Sequence, residues 1–416
     1  SSIGFVMSSL GNFWAMFGML PYVLSGQIPS LTDAFFETVS GYTTTGATIL
    51  NNIESLDHGI LFWRSLTQWI GGMGIIVLAV AILPFLGIGG MQLFVAEAPG
   101  VSLDKLQPRI KETAKRLWII YISFTVLLFF ILYAEGMSLF DAVNHAMTTF
   151  ATGGFSTKDA SIGYFDSPII HYTIILFMMI SATNFTLIYF GLKLNFKKVF
   201  YNEEFRIYFL FILIVSLLVF ISLLQYDISN VEETFRIALF NVASIITTSG
   251  FSTADYTGWS EFLTILFFIL MFFGASAGST SGGVKIVRHV ILLKNTYIEL
   301  KKQIHQSGVF TLRFNNSKIP ENVVFNILAF MMLYVVIFSV GSVIMTLLGV
   351  DFMTAIGSVA ASLGNVGPGI GSVGPDATYS SIPIAGKWFL SLLMFIGRLE
   401  LFTFLMILTP AFWKHN

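Results

Sequence analysis

Thr43-Thr44-Thr45-Gly46-Ala47-Thr48 is the stretch that decides the fold, because it returns three times along the chain. It comes back as Thr152-Gly153-Gly154-Phe155-Ser156-Thr157, as Thr247-Thr248-Ser249-Gly250-Phe251-Ser252-Thr253, and in altered form as Gly364-Asn365-Val366-Gly367-Pro368-Gly369. Each tract follows a segment too apolar for a loop and too short to cross a bilayer: Thr32 to Tyr42, Phe140 to Phe150, Arg236 to Ile246, and Met353 to Leu363. Ungapped alignment on Gly46, Gly154, Gly250 and Gly367, which lie 108, 96 and 117 residues apart, puts Ala34, Ala142, Ala238 and Ala355 in register twelve residues upstream. An internal repeat of this kind fixes the architecture before any single helix is assigned.

Working outward, long apolar stretches flank these segments at 3–24, 60–86, 116–134, 168–192, 207–225, 260–274, 323–348 and 384–412. A hydrocarbon core takes roughly 20 apolar residues of helix to cross. Seven stretches clear or approach that length, and the short one, 260–274, runs into Gly274-Ala275-Ser276-Ala277-Gly278-Ser279-Thr280-Ser281-Gly282-Gly283 before helical patterning resumes at Val284 to Gln303. It reads as one broken span. The composition agrees, with 55% hydrophobic and 11% charged residues and a mean hydropathy of +0.80 over 416 residues, against roughly 25% charged in soluble domains. The expectation is an all-α polytopic membrane protein of four units, each a helix, a re-entrant pore helix, a filter tract and a helix, around a central pore. The units are 1–86, 116–192, 207–303 and 321–416, joined by cytoplasmic linkers at 87–115, 193–206 and 304–320. The chain opens at Ser1 in apolar sequence with no charged leader, and reads as a fragment lacking its natural start.

Orientation follows from the basic residues. The linkers and tail on one side carry 17 of the 22 Lys and Arg, which makes that side cytoplasmic. The other side holds Arg64, Lys158, Arg236 and Lys387 against fifteen carboxylates, including Asp33, Glu37, Asp141, Glu232, Asp255, Asp351 and Asp376. Such a face concentrates cations, although it is also what remains once basic residues are excluded from an outer surface. Nothing in the near-neutral balance of charge points to nucleic acid, and the absence of cysteine removes disulfides, thiolate metal sites and cysteine nucleophiles.

Irregular backbone at membrane depth is tolerated where protein or a water-filled cavity satisfies its polar groups. Four such tracts around one axis can replace the water shell of a cation with carbonyl oxygens. Glycine reaches positive φ and leaves no Cβ in the way. Each half-helix would aim the partially negative end of its dipole at the same centre. The tracts contain no Asp or Glu, which suits a monovalent ion better than a divalent one.

These features, together with Gln68-Trp69-Ile70-Gly71-Gly72-Met73-Gly74, Leu86-Gly87-Ile88-Gly89-Gly90-Met91-Gln92, the broken-span tract with Lys285 after it, and Gly397-Arg398-Leu399-Glu400, resemble the Trk/Ktr/HKT superfamily of potassium transporters, most closely its bacterial H-type uptake subunits. The resemblance covers nearly the whole chain. It implies potassium as the transported ion with no organic cofactor, a homodimer in the bacterial inner membrane, and a cytosolic nucleotide-binding regulatory subunit supplied by another polypeptide. Trk-type members usually carry two further N-terminal helices, which these residues do not include. Carried over residue by residue, the resemblance puts ion contacts on the carbonyls of Thr44, Thr45 and Gly46, of Thr152, Gly153 and Gly154, of Thr248, Ser249 and Gly250, and of Asn365, Val366 and Gly367. Glycine at all four centres matches the potassium-selective pattern. The tract with Gly274, Ser276, Gly278, Ser279, Thr280, Gly282 and Gly283 corresponds to an intramembrane gate loop, while a close helix-packing seam is the plainer use of small residues.

Arg398 lies inside the last span, where a charge costs at least about 2.5 kcal/mol and marks function by default. It is expected to face the pore below the filter and bond gate-loop carbonyls, or else to join a structural ion pair. Glu400 is no partner for it, since residues two apart do not share a helix face. Lys285 reads as a cytoplasmic-end anchor. Enzyme readings are thin. Gly369-Ile370-Gly371-Ser372-Val373-Gly374 has the spacing of a dinucleotide motif without a preceding strand, and Gly278 to Lys285 lacks the ending of a phosphate-binding loop. The six histidines show no metal-ligand spacing. Two alternatives to a potassium-conducting pore remain at this level: a sodium- or proton-coupled symporter of the same fold, and a membrane scaffold or enzyme whose four tracts are turns.

Overall fold

The computed structural model describes residues 16–82, 110–225, 230–306, 308–399 and 401, with the side chains of 75–82 and 110–114 left aside. It contains the same unit four times. The half-helices are Leu31–Tyr42, Leu139–Phe150, Val231–Ile246 and Phe352–Leu363. Their preceding helices are Leu20–Leu24, Ile110–Ala134, Glu203–Leu223 and Glu321–Leu347, and their following helices begin at His58, Pro168, Glu261 and Ile384. Among the described residues three helices are long and apolar enough to cross a membrane, Lys115–Ala134, Glu203–Leu223 and Glu321–Leu347, and a bent pair is a fourth.

Each half-helix starts at a side-chain cap that satisfies one of its free N–H groups. Ser30 Oγ accepts from Asp33 N, Ser138 Oγ from Asp141 N, Asn230 Oδ1 from Glu233 N and Asp351 Oδ2 from Thr354 N. In units one, two and four the cap stands sixteen residues before the aligned glycine. In the third unit the cap falls at Asn230, so that half-helix begins at Val231 and not at Arg236 as the repeat alignment predicts. Ala34, Ala142, Ala238 and Ala355 are all fully buried. The ring closes where the first half-helix packs on the last helix, Ile384–Arg398.

All four half-helices end alike. The residue two before the aligned glycine is left-handed in every unit, with φ of 50° at Thr44, 53° at Thr152, 56° at Thr248 and 51° at Asn365. The next N–H reaches back five residues, from Thr45 to Ser40 O, Gly153 to Thr148 O, Ser249 to Ser244 O and Val366 to Ala361 O. This is a Schellman ending, which usually takes glycine at its left-handed position. Three β-branched threonines there cost about 1–2 kcal/mol each.

The sequence reading needs further correction in its spans and its charges. The stretch 168–192 is not one straight span: Pro168–Ser181 and Phe185–Leu192 meet at a 110° bend. The intervening Ala182-Thr183-Asn184 is too short and too weakly polar to show against its apolar flanks, yet Asn184 Oδ1 accepts from Thr186 N and starts a new helix. The outer charges are also less exposed than their number suggests. Glu37 and Arg64 are buried as an ion pair at 2.6 Å, Arg236 is buried against Glu232 at 3.0 Å, and Lys387 is buried against Asp33 at 2.6 Å. A charge count cannot distinguish solvated carboxylates from paired ones.

The helix Glu203–Leu223 reaches back into the linker assigned to 193–206, where Phe196–Phe200 forms a further short helix. After the broken span, Ile286–Ile304 leads to a hairpin, Arg313–Phe314 with Ser317–Lys318, turned by Asn315 and Asn316 at φ of 48° and 63°. Two left-handed residues give the turn that matches strand twist. The run Leu86 to Gln92, most of the linker assigned to 87–115, Glu400, and residues 3–15 and 402–412 of the stretches at 3–24 and 384–412 lie outside the described residues.

Candidate functional site

The four glycines form a closed ring. A Cβ added to Gly46 would stand 2.2 Å from Gly153 O, one on Gly154 1.9 Å from Ser249 O, one on Gly250 2.2 Å from Val366 O, and one on Gly367 2.6 Å from Thr45 O. Each glycine therefore meets the carbonyl just before the glycine of the next unit, in cyclic order. All four have positive φ, between 76° and 98°. One cavity is lined by Gly46, Gly154, Gly250 and Gly367 together, and by Arg64, Lys158, Asp159 and Tyr379. Of the twelve residues expected to bear ion contacts, the four glycines and the four residues just before them, Thr45, Gly153, Ser249 and Val366, meet in this ring.

Behind the ring stands a set of residues that the sequence reading did not select. Nine positions before each glycine lies a buried polar side chain: Glu37, His145, Asn241 and Ser358. The first three hold the chain leaving the ring. Glu37 Oε2 accepts from Ile49 N at 3.0 Å and its carboxylate from the Thr48 hydroxyl, His145 Nε2 is 3.0 Å from Ser156 Oγ, and Asn241 Nδ2 donates to Thr253 Oγ1 at 3.1 Å. The same ungapped alignment that exposes the glycines would have shown this polar position in all four units.

Arg64 extends the support, donating to Glu37 Oε1 and to Ser156 O at 2.9 Å while lying over the Phe155 ring. Gln68 brackets Gly154: its Nε2 donates to Gly153 O at 2.6 Å and its Oε1 accepts from Phe155 N at 3.0 Å. Tyr379 Oη donates to Gly367 O at 2.7 Å. At the outer mouth, burial and the nearby Asp255 raise the Asp376 carboxyl above its ordinary range.

The small-residue tract 274–283 lies directly under the ring. Gly282 N donates to Thr248 Oγ1 at 2.7 Å, and a Cβ on Gly282 would stand 2.7 Å from that of Asn365. Arg398 Nη1 donates to Thr280 O at 2.8 Å. Lys285 does not simply reach for the membrane surface, since its ammonium turns back onto Ser281 O. The tract is seated on the second break: Ser276 N donates to Ala182 O, Thr280 Oγ1 to Ser181 O, Phe185 N to Gly278 O, and Asn184 Nδ2 to Ala277 O at 2.7 Å. The broken third span thus docks on the broken second span, a pairing no local pattern revealed.

Residues 12–414 match the family model TrkH, described as a cation transport protein. The chain is 44% identical over 413 residues to the Trk system potassium uptake protein TrkH of Escherichia coli K12, covering 97% of this chain and 84% of that protein. It is 42% identical to the protein of the same name from Halomonas elongata, covering 99% and 86%. Among solved structures, the crystal structure of the potassium transporter TrkH from Vibrio parahaemolyticus superposes with a TM-score of 0.88 at 39% identity, covering 99% of this chain and 85% of that one.

Proposed function

This chain belongs to the TrkH family of cation transport proteins, and we propose that it takes up potassium across the bacterial inner membrane through the ring of Gly46, Gly154, Gly250 and Gly367. The observation that carries this reading is the cyclic contact of each glycine with the next unit's carbonyl. Backbone oxygens of Thr44 to Gly46, Thr152 to Gly154, Thr248 to Gly250 and Asn365 to Gly367 would then line the conduction path, each unit supplying one quarter. A carbonyl ring braced from behind by Glu37, Arg64 and Gln68 replaces the hydration shell of an ion at little reorganisation cost. Inward movement is driven by the membrane potential, worth about 2.3 kcal/mol per charge per 100 mV.

The tract 274–283 would act as the gate, held shut by Arg398 on Thr280 O, and would be opened by a cytosolic nucleotide-binding subunit acting on a homodimer. In this reading the four units are the pore repeats and the basic linkers face the cytoplasm. Flux of potassium, rubidium, sodium and lithium into proteoliposomes at a set membrane potential tests it. Potassium and rubidium uptake with little sodium, lost in Gly154→Asp, is the expected result. No cation flux with or without the cytosolic partner would sink the reading.

A further inference from the structure

Two adjacent carboxylates join the cytoplasmic hairpin to the tract beneath the filter. Glu203 and Glu204 occupy the first turn of Glu203–Leu223. Successive helical residues point about 100° apart, so the two side chains serve different neighbours. Glu203 grips the hairpin turn: its N–H donates to Asn315 Oδ1 at 2.7 Å, its Oε2 accepts from Asn315 N at 3.1 Å, and its Oε1 pairs with Lys294, whose ammonium also reaches Arg313 O. Glu204, only 3% exposed, accepts from Ala277 N at 2.7 Å. The carbonyl of the same Ala277 is held by Asn184 Nδ2 at 2.7 Å. Ala277 is thus clamped at both its backbone groups, by Glu204 from the first helix of its own unit and by Asn184 from the second unit.

We propose that Glu203 and Glu204 form a strut that passes displacement of the hairpin 313–318 to the tract 274–283, with Glu204 the positioning residue that keeps the tract seated. The inference rests on the reading of this tract as a gate for its purpose, but its geometry stands apart from ion conduction. A buried carboxylate that accepts a backbone N–H is costly to leave unpaired. A hairpin shift that rotates the first turn must therefore either carry Ala277 with it or break that bond. The second physical route from the hairpin to the tract is the helix Ile286–Ile304, and the experiment separates the two.

The chain contains no cysteine, so one introduced thiol reports alone. Ser276 suits this purpose because its Oγ is buried without a partner, and Ser276→Cys forfeits no hydrogen bond. The rate at which a small soluble thiol reagent labels Cys in this parent measures how often the tract leaves its seat. Glu204→Ala is expected to raise that rate at least about tenfold, the loss of a charge-assisted hydrogen bond. Glu204→Gln keeps an acceptor for Ala277 N and should fall between. Asn315→Gly, which tolerates the left-handed turn while removing the contact to Glu203 N, should speed labelling in the parent and add nothing to Glu204→Ala. An Asn315→Gly effect that is absent from the parent, or equal in both backgrounds, overturns the strut and leaves Ile286–Ile304 as the route. So does a rate unmoved by Glu204→Ala. Should Glu204→Ala fail to fold, the Asn315→Gly effect must shrink in Glu204→Gln, and an undiminished effect there is equally fatal. Labelling needs no ion, so a parent that behaves as expected yet conducts nothing would refute the pore and spare the strut.

Discussion

Alanine at each of the four ring glycines should damage ion selection in a graded order that the structure sets. At Gly154 the new Cβ would lie 1.9 Å from Ser249 O, and real Cβ atoms do not approach below 3.0 Å, so the gap must open by at least 1.1 Å. At Gly46 and Gly250 the opening is at least 0.8 Å from 2.2 Å, and at Gly367 at least 0.4 Å from 2.6 Å. The atom that must move is a backbone oxygen of the neighbouring filter, so the ring is widened and not merely a side chain displaced. Each substitution also forces a side chain into positive φ, at about 1–2 kcal/mol. That strain is common to both ions, whereas the widening is not: a loss of about 1.4 kcal/mol in the difference between potassium and sodium is tenfold, and Gly154→Ala should lose on the order of that in its preference for potassium. Gly46→Ala and Gly250→Ala should follow, and Gly367→Ala should be the mildest. Competing rubidium and sodium uptake into proteoliposomes at one fixed potential gives the ratio directly. An unchanged ratio in Gly154→Ala, or Gly367→Ala as the most damaging of the four, would refute the argument that these carbonyl contacts set the width of the ring.

Other consequences are separate. Arg64→Met leaves Glu37 as an uncompensated buried charge and should destabilise by about 3–5 kcal/mol, read as a lower unfolding temperature in detergent, with Glu37→Met added on top recovering part of the loss. Gln68→Leu orphans Gly153 O and Phe155 N and should cost about 1–3 kcal/mol while lowering the potassium-to-sodium ratio; an unaltered ratio would show that Gln68 braces only the fold. Arg398→Gln weakens the hold on Thr280 O and should raise basal potassium flux without changing selectivity, and flux equal to wild type would remove Arg398 from gating. The Thr354 hydroxyl and N–H hold the Asp351 carboxyl below its ordinary 3.8. Its share of stability is therefore present above that value and is lost as pH falls through the depressed one. Asp351→Asn keeps the cap but should flatten this acid-dependent slope, whereas Asp351→Ala should cost about 0.5–2 kcal/mol near neutral pH.

How much of this was legible in the sequence follows from where each feature's signal resides. The ring glycines and buried alanines recur at fixed offsets, so alignment within the chain finds them, and the boundaries of three half-helices fall within one residue of the expected ones. The third differs because its capping residue moved to Asn230, a local event that the repeat register cannot see. The small-residue tract is visible through composition alone. The bend at Ala182-Thr183-Asn184 is not, because three residues leave the hydropathy of the stretch almost unchanged. Nor does a list of charges reveal that Glu37 is buried on Arg64, or that Glu204 in the linker assigned to 193–206 turns inward to Ala277, since partners far apart in sequence decide burial.

The departures from fourfold symmetry carry information of their own. Thr44, Thr152 and Thr248 share one position, yet Thr44 Oγ1 is buried without a partner, Thr152 Oγ1 turns onto Ala151 O, and Thr248 Oγ1 accepts from Gly282 N. The fourth unit replaces threonine with Asn365, whose amide donates to Thr45 Oγ1 at 3.0 Å and Met394 O at 2.9 Å. The third and fourth units meet the tract at Gly282, whose N–H donates to Thr248 Oγ1 and whose missing side chain allows the close approach of Asn365. The repeat was therefore free to stay symmetric where the ring needs four equal quarters, and had to diverge on the face where a single loop from one unit is seated. Gly282→Ala isolates that face: its Cβ would press on Asn365 and on Gly364 O at 2.9 Å. It should displace the tract and raise basal flux while the potassium-to-sodium ratio, set by the glycines above, holds. A lost ratio with unchanged basal flux would mean instead that the tract shapes the filter and does not gate it.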